Sequence, residues 1–210
     1  MRLRSSWLLW LPVRRTTGLR TVAFTPWERY GRAAALSIAA LLDREEAERS
    51  RPLGRAIDLG CGRGRYTAEL ARRGWEAVGM DNIPRAIDAA TQRAVFGANF
   101  IVGDVTDLAP TRLGRFDFFL DIGCFQGLSS EQRLAAGRGV SALANPGATL
   151  LMLAFQPTSI RSVAGGVTRT DVEAAFPDWE MLLVEPADTT GLLWPLNKTA
   201  PQWYRLRPQA

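Results

Sequence analysis

Asp58-Leu-Gly-Cys-Gly-Arg-Gly64 sets an acid and three alternate glycines directly after the apolar pair Ala56-Ile57. Tyr66 to Arg73 follows, with Leu70 and Ala71 recurring at helical spacing. A strand that runs through glycines into a helix makes a ligand cradle. Without Cβ atoms the backbone can approach a guest closely and adopt φ > 0. The helix start adds unpaired N–H groups and a positive dipole end. Read alone, Gly60, Gly62 and Gly64 would suit a phosphate as well as another polar guest. Further acids close other apolar runs: Asp81 after Ala77-Val-Gly-Met80, Asp104 after Gly103, and Asp121 within Phe116-Asp-Phe-Phe-Leu-Asp-Ile122. A carboxylate at a strand end can accept two hydroxyl groups at once, or be a solvated acid and nothing more.

What the chain lacks narrows the chemistry. It has no histidine and one lysine, Lys198, so a Ser-His-Asp hydrolase and a His-containing zinc site are excluded. Two cysteines, Cys61 and Cys124, make neither a CxxC knuckle nor a secreted disulfide scaffold, and a reduced, cytoplasmic setting is the default. They can be redox-sensitive neighbours at two strand ends or simply small residues that fit. The net charge of +5 is concentrated in one place. Seven arginines against Glu28 give residues 1–32 a charge of +6, which leaves −1 for the rest. A nearly neutral body argues against a nucleic-acid-binding face. Arginine-for-lysine bias and abundant alanine suggest a bacterial, GC-rich genome.

Residues 1–24 read as a basic arm, expected to be poorly ordered. Trp7-Leu-Leu-Trp-Leu-Pro-Val13 between arginines is too short for a membrane span and lacks the core and cleavage site of a signal peptide. Two readings stay open: a weak membrane-surface contact through residues 1–20, or a loosely ordered extension.

Residues 25–210 read as one domain. Thr25-Pro26 suits a helix start, and the helix predicted over Tyr30 to Glu48 carries an apolar stripe at Leu36, Ala39, Ala40 and Leu42. Strands are predicted at Ala56–Leu59, Glu76–Asp81, Asn99–Val102, Phe116–Ile122, Ala148–Phe155, Trp179–Glu185 and Trp203–Arg207. Gly74 suits a helix C-cap, Pro84 starts a helix reaching Arg93 to Phe96, and Ser129-x-x-Gln132 and Thr170-x-x-Glu173 read as capping boxes. Alternating β and α units predict a parallel, doubly wound sheet, with ligands at the C-terminal strand ends.

With these residues in view, the chain resembles the class I S-adenosylmethionine-dependent methyltransferases across residues 25–208. The family's acid–hydrophobic–glycine–x–glycine–x–glycine motif is matched by Asp58 to Gly64. Its acid after the second strand is matched by Asp81, its Gly-Asp after the third by Gly103-Asp104, its acid after the fourth by Asp121, and its Pro-Gly by Pro146-Gly147. The resemblance implies an α/β, Rossmann-like, seven-stranded sheet, mostly parallel with an antiparallel last strand. It also implies S-adenosyl-L-methionine as cofactor. Gly60, Cys61, Gly62 and Gly64 would hold the methionine end, and Asp58 would orient the loop or meet the ammonium through water. Asp81 would take the ribose hydroxyls, Asn82 and Ile83 would lie beside the adenine, and Asp104 and Val105 would bind its amino group and cover the ring. No metal is expected.

Transfer by in-line displacement to a small-molecule acceptor is the activity implied, and it gains mostly from proximity and orientation. Asp121 is either a ligand of the cofactor's amino group or the acid/base at this edge. Gln126 stands near where relatives often carry a histidine, and either orients the acceptor or packs. A nicotinamide Rossmann enzyme fits poorly, because the third glycine arrives one residue early. Asp121-Ile-Gly-Cys lacks the Pro-Pro-aromatic motif of base methylation. The alternatives are a non-catalytic cofactor-binding or membrane-associated interaction module, or a nucleic-acid or protein methyltransferase. Pro157–Val167 and Trp27–Tyr30 are candidate lid elements.

Overall fold

A computed structural model describes residues 34–157, 166–190 and 200–209. The basic arm, the helix start at Thr25-Pro26, the lid candidate Trp27–Tyr30 and most of Pro157–Val167 lie outside the described residues.

One seven-stranded sheet runs in the order β3-β2-β1-β4-β5-β7-β6. Its strands are β1 (Arg55–Leu59), β2 (Glu76–Asp81), β3 (Ala98–Val102), β4 (Phe116–Ile122), β5 (Ala144–Phe155), β6 (Trp179–Pro186) and β7 (Pro201–Pro208). The first five pair in parallel, and β7 lies antiparallel between β5 and β6. The helices are α1 (Ala35–Ala47), α2 (Arg65–Arg73), α3 (Pro84–Thr91), the single turn α4 (Pro110–Leu113), α5 (Ser130–Leu143) and α6 (Arg169–Ala175).

The central strands read as continuous apolar runs because both faces are covered. On β5, Leu150, Met152 and Ala154 enter one core with Val140, Val172 and Phe176. Their neighbours Leu151, Leu153 and Phe155 enter a second core with Ile38, Leu42 and Trp75. The two-residue strand period thus splits one sequence between two hydrophobic layers.

Several local expectations are corrected. The buried residues of α1 are Ile38, Leu41, Leu42 and Glu45, while Leu36 is 89% exposed. That buried set spans i, i+3, i+4 and i+7, and it includes a carboxylate that a hydropathy stripe cannot flag. Glu45 is buried because Arg49, Arg205 and Thr149 all donate to it. Helix α3 stops at Thr91, short of the predicted Arg93–Phe96. The capping box of α6 is Thr168 with Asp171, not Thr170 with Glu173. The box at Ser129 and Gln132 and the left-handed C-cap at Gly74 are present as read.

Candidate functional site

The C-terminal ends of β1, β2 and β4 open on one cleft of about 1220 Å³, large enough for more than one small guest. Its floor is the loop between β1 and α2. Cys61 N–H donates to the Met80 carbonyl (2.9 Å), and Gly64 N–H to the Cys61 carbonyl (2.9 Å), which curls the chain into the helix. Gly60 and Gly62 take φ of 67° and 54°. A Cβ at Gly60 would strike Cys124 at 2.7 Å, whereas one at Gly62 would meet nothing within 4 Å and stand in the cleft. Gly60 therefore serves packing, and Gly62 keeps the backbone open to a guest.

Asp81 connects the loop to the second strand. Its Oδ2 accepts the Gly62 N–H and its Oδ1 the Ile83 N–H, both at 2.9 Å. A carboxylate has about four lone-pair sites, so each oxygen retains capacity for a further donor from the cleft. Asp58 sits beneath, accepting the Thr67 hydroxyl at 2.7 Å. Burial raises its pKa to about 6, with Thr67 opposing and the Asp81 charge adding to the rise. Asp104 is exposed and accepts the Thr106 N–H and hydroxyl on Oδ1 (2.8 and 2.7 Å), while Val105 is buried beside it.

Ten of the sequence-predicted residues line this cleft: Asp58, Gly60, Cys61, Gly62, Gly64, Asp81, Asn82, Ile83, Asp104 and Val105. Asp121 and Gln126 do not. The strand end folds immediately into a 3-10 turn, Phe125–Gly127, and Asp121 caps it. Its two oxygens accept the N–H groups of Cys124 (2.8 Å) and Phe125 (3.0 Å). Burial raises its pKa to about 7, against those amide bonds. The Gln126 side chain is 4% exposed, and its Oε1 accepts the Phe155 N–H at 2.8 Å. The residues that present themselves beyond β4 are instead Ile122, Gly123, Cys124, Gly127 and Leu128. Burial pushes the thiols of Cys61 and Cys124 up, further from the thiolate form.

Sequence reading missed two parts of the wall. One face of α1, with Ala35, Ile38, Ala39 and Leu42, lines the cleft. Its spacing of three and four was a usable signal, obscured by the choice of Leu36. Tyr66, Arg65 and Gln132 also reach the cleft, and nothing in their spacing marks them. No group of three or more metal-ligating side chains occurs among the described residues. No helix among them is long and apolar enough to cross a membrane.

A parallel sheet closed by an antiparallel β7, with a glycine loop after β1 and acids at the ends of β2 and β4, defines the class I S-adenosylmethionine-dependent methyltransferase fold. Residues 56–147 match the family of methyltransferase domains. A 2-heptyl-1-hydroxyquinolin-4(1H)-one methyltransferase of Mycobacteroides abscessus is 31% identical over 112 residues, covering 51% of this chain and 49% of that one. Thiocyanate methyltransferase 1 of Arabidopsis thaliana is 32% identical over 155 residues, 70% and 63% of the two chains. The chain thus spans about half to two thirds of these relatives' length. The fold matches the magnesium protoporphyrin IX methyltransferase of Synechocystis PCC 6803, solved with bound SAH, at a TM-score of 0.68 and 15% identity over 89% of each chain. Residues 56–147 are thus a methyltransferase domain, set in a fold of the class I S-adenosylmethionine-dependent kind.

The cleft residues fit the cofactor that class implies. The bare backbone at Gly62 leaves room against the loop, and the spare lone pairs of Asp81 suit a vicinal diol. Ile83 and Val105 offer apolar surface for a planar ring.

Proposed function

We propose that the protein methylates a small, apolar-bodied acceptor that is nucleophilic as it binds. One observation carries this reading: the glycine loop, Asp81 and Asp104 converge on a cleft whose wall also carries an apolar side, Ile38, Ala39, Leu42, Ile122 and Leu128, beside polar groups such as Arg65, Arg72 and Gln132. S-adenosylmethionine supplies an electrophilic methyl group carried on a sulfonium. The chain's own residues bind and orient. Gly60–Gly64 receive the amino-acid end, Asp81 the ribose hydroxyls, and Ile83, Asp104 and Val105 the adenine. Gly123 and Cys124, next to the loop, form the edge that the acceptor must reach.

Among the described residues no general base is at hand on that edge. Asp121 is turned inward with both oxygens engaged, Gln126 is tied to β5, and the chain has no histidine. Proximity and exclusion of water therefore provide the rate, which suffices for an acceptor such as a phenolate, hydroxamate-like oxygen, thiolate or small soft anion. The two relatives named for a hydroxyquinolinone and for thiocyanate are of this kind.

Calorimetric titration with S-adenosylmethionine and SAH tests the cofactor half. Incubation with a panel containing 2-heptyl-1-hydroxyquinolin-4(1H)-one, thiocyanate, iodide, simple phenols and thiols, read as SAH release, tests the acceptor half. Absence of cofactor binding overturns the reading. Binding without turnover of any acceptor favours a non-catalytic cofactor-binding module.

A further inference from the structure

Arg133, on the first turns of α5, is a buried cation (8% exposed) that touches neither the cleft nor solvent to any extent. Its Nε donates to the Phe125 carbonyl at 3.3 Å. Its Nη2 donates to the carbonyls of Gln126 (3.4 Å) and Gly166 (3.1 Å). Its Nη1 lies 3.6 Å from the Asp171 carboxylate, which in turn accepts the N–H and hydroxyl of Thr168 to start α6. The guanidinium also stacks 5.4 Å from the Phe125 ring. One side chain therefore joins two segments to α5: the turn after β4, and the stretch from Gly166 through the cap of α6.

The first of these segments matters most. Its front, Gly123, Cys124, Gly127 and Leu128, is cleft wall, and its back is what Arg133 grips. Between the two lies Gln126. Its Oε1 is fixed by the Phe155 amide, and its Nε2 is buried without a partner among the described residues. A turn that leaves one buried donor unsatisfied needs other bonds to hold its shape, and the planar five-donor fork of arginine is suited to collect several carbonyls at once.

We propose that Arg133 is a positioning residue for methyl transfer, holding the acceptor-side wall in register with the cofactor loop. This rests on the methyltransferase reading above. The bland alternative is that Arg133 only glues α5 to α6. The two differ in what they spare. The cofactor loop is fixed by Asp81 and by the Asp58–Thr67 pair, with no bond from Arg133. A positioning role therefore leaves cofactor affinity intact while turnover suffers, since small misplacement of a reacting edge costs orders of magnitude in rate.

The test uses the full chain with Arg133→Met and Arg133→Lys, with SAH calorimetry, steady-state kinetics on an acceptor that the wild type methylates, and amide hydrogen exchange of the SAH-bound protein. The expected result is an SAH Kd within about twofold of wild type and a kcat lowered by at least about tenfold in Arg133→Met. Arg133→Lys, which keeps the charge but not the fork, falls between. Exchange accelerates at residues 123–128 and 166–168 and not at 58–64. Unchanged kcat and acceptor KM in Arg133→Met overturn the proposal, as does a parallel loss of SAH affinity. Should Arg133→Met fail to fold, the same comparisons on Arg133→Lys decide. If the wild type binds SAH but methylates nothing, the methyltransferase reading fails. Exchange at 123–128 and 166–168 unaltered by Arg133→Met then overturns the positioning role separately.

Discussion

Asp81→Ala is the most informative single change, because Asp81 faces two ways. Toward the protein it holds the amides of Gly62 and Ile83 at 2.9 Å each. Toward the cleft it offers the remaining lone pairs of both oxygens. A hydrogen bond to a charged group contributes about 1.5–3 kcal/mol net, and on the proposed ribose assignment two hydroxyl groups would exchange water for this carboxylate. Even the lower end, realised once, is about 1.5 kcal/mol, slightly more than tenfold in Kd. SAH should therefore bind Asp81→Ala at least about tenfold more weakly. Asp81→Asn should rescue little. An amide has one acceptor oxygen, so its NH₂ must face either the Gly62 or the Ile83 N–H, donor against donor. Calorimetry with SAH at a temperature where circular dichroism shows each variant folded is the assay. A folded Asp81→Ala protein whose Kd stays within about twofold of wild type would refute the assignment of the ribose site to this carboxylate.

Other expectations follow from the same geometry. Gly62→Ala adds a methyl group in open space at a φ that L side chains rarely adopt, so it should cost about 1 kcal/mol of stability but abolish most SAH binding. Gly60→Ala collides with Cys124 and should lower the thermal midpoint more than Gly62→Ala; equal midpoints would contradict that division. Burial raises the carboxyls of Asp58 to about 6 and Asp121 to about 7 from an ordinary 3.8. The native state then keeps protons that the unfolded chain has released, so cofactor-free stability falls as pH rises from about 4 to 7. Asp58→Asn and Asp121→Asn should flatten that decline in urea midpoints measured across the window. Glu45→Ala strips the buried partner from Arg49 and Arg205 and should cost about 3 kcal/mol, read from urea unfolding.

The strand positions and the residues lining the cleft around the glycine loop were legible in the sequence because they rest on local constraints. Glycines that must take positive φ, acids that end apolar runs and a proline at a helix start all announce themselves within a few residues. Where tertiary context chooses among equal local options, the reading slipped. Thr168 and Thr170 both precede an acid by three positions, but Asp171 lies beside the buried Arg133 whereas Glu173 pairs with Arg169 at the surface. Leu36 is as hydrophobic as Leu42, yet it faces away because the charged anchors Glu45 and Arg49 set the rotation of α1. Asp121 carries a motif position but spends its oxygens on the following turn. Arg133 left no trace, since its hydrogen-bond partners are main-chain carbonyls 7, 8 and 33 residues away, and main chain has no sequence.

The placement of β7 between β5 and β6 has a consequence for how the chain is born. Translation delivers β6 before β7, yet among the described strands β6 pairs only with β7, whose other edge pairs with β5. Until residues 201–208 have emerged, a nascent chain carries an apolar strand with a bare edge and a second strand with nothing to join. Such edges invite pairing with other chains. The domain is closed like an arch by its keystone, and any ribosome stall between residues 186 and 201 leaves it at its most sticky.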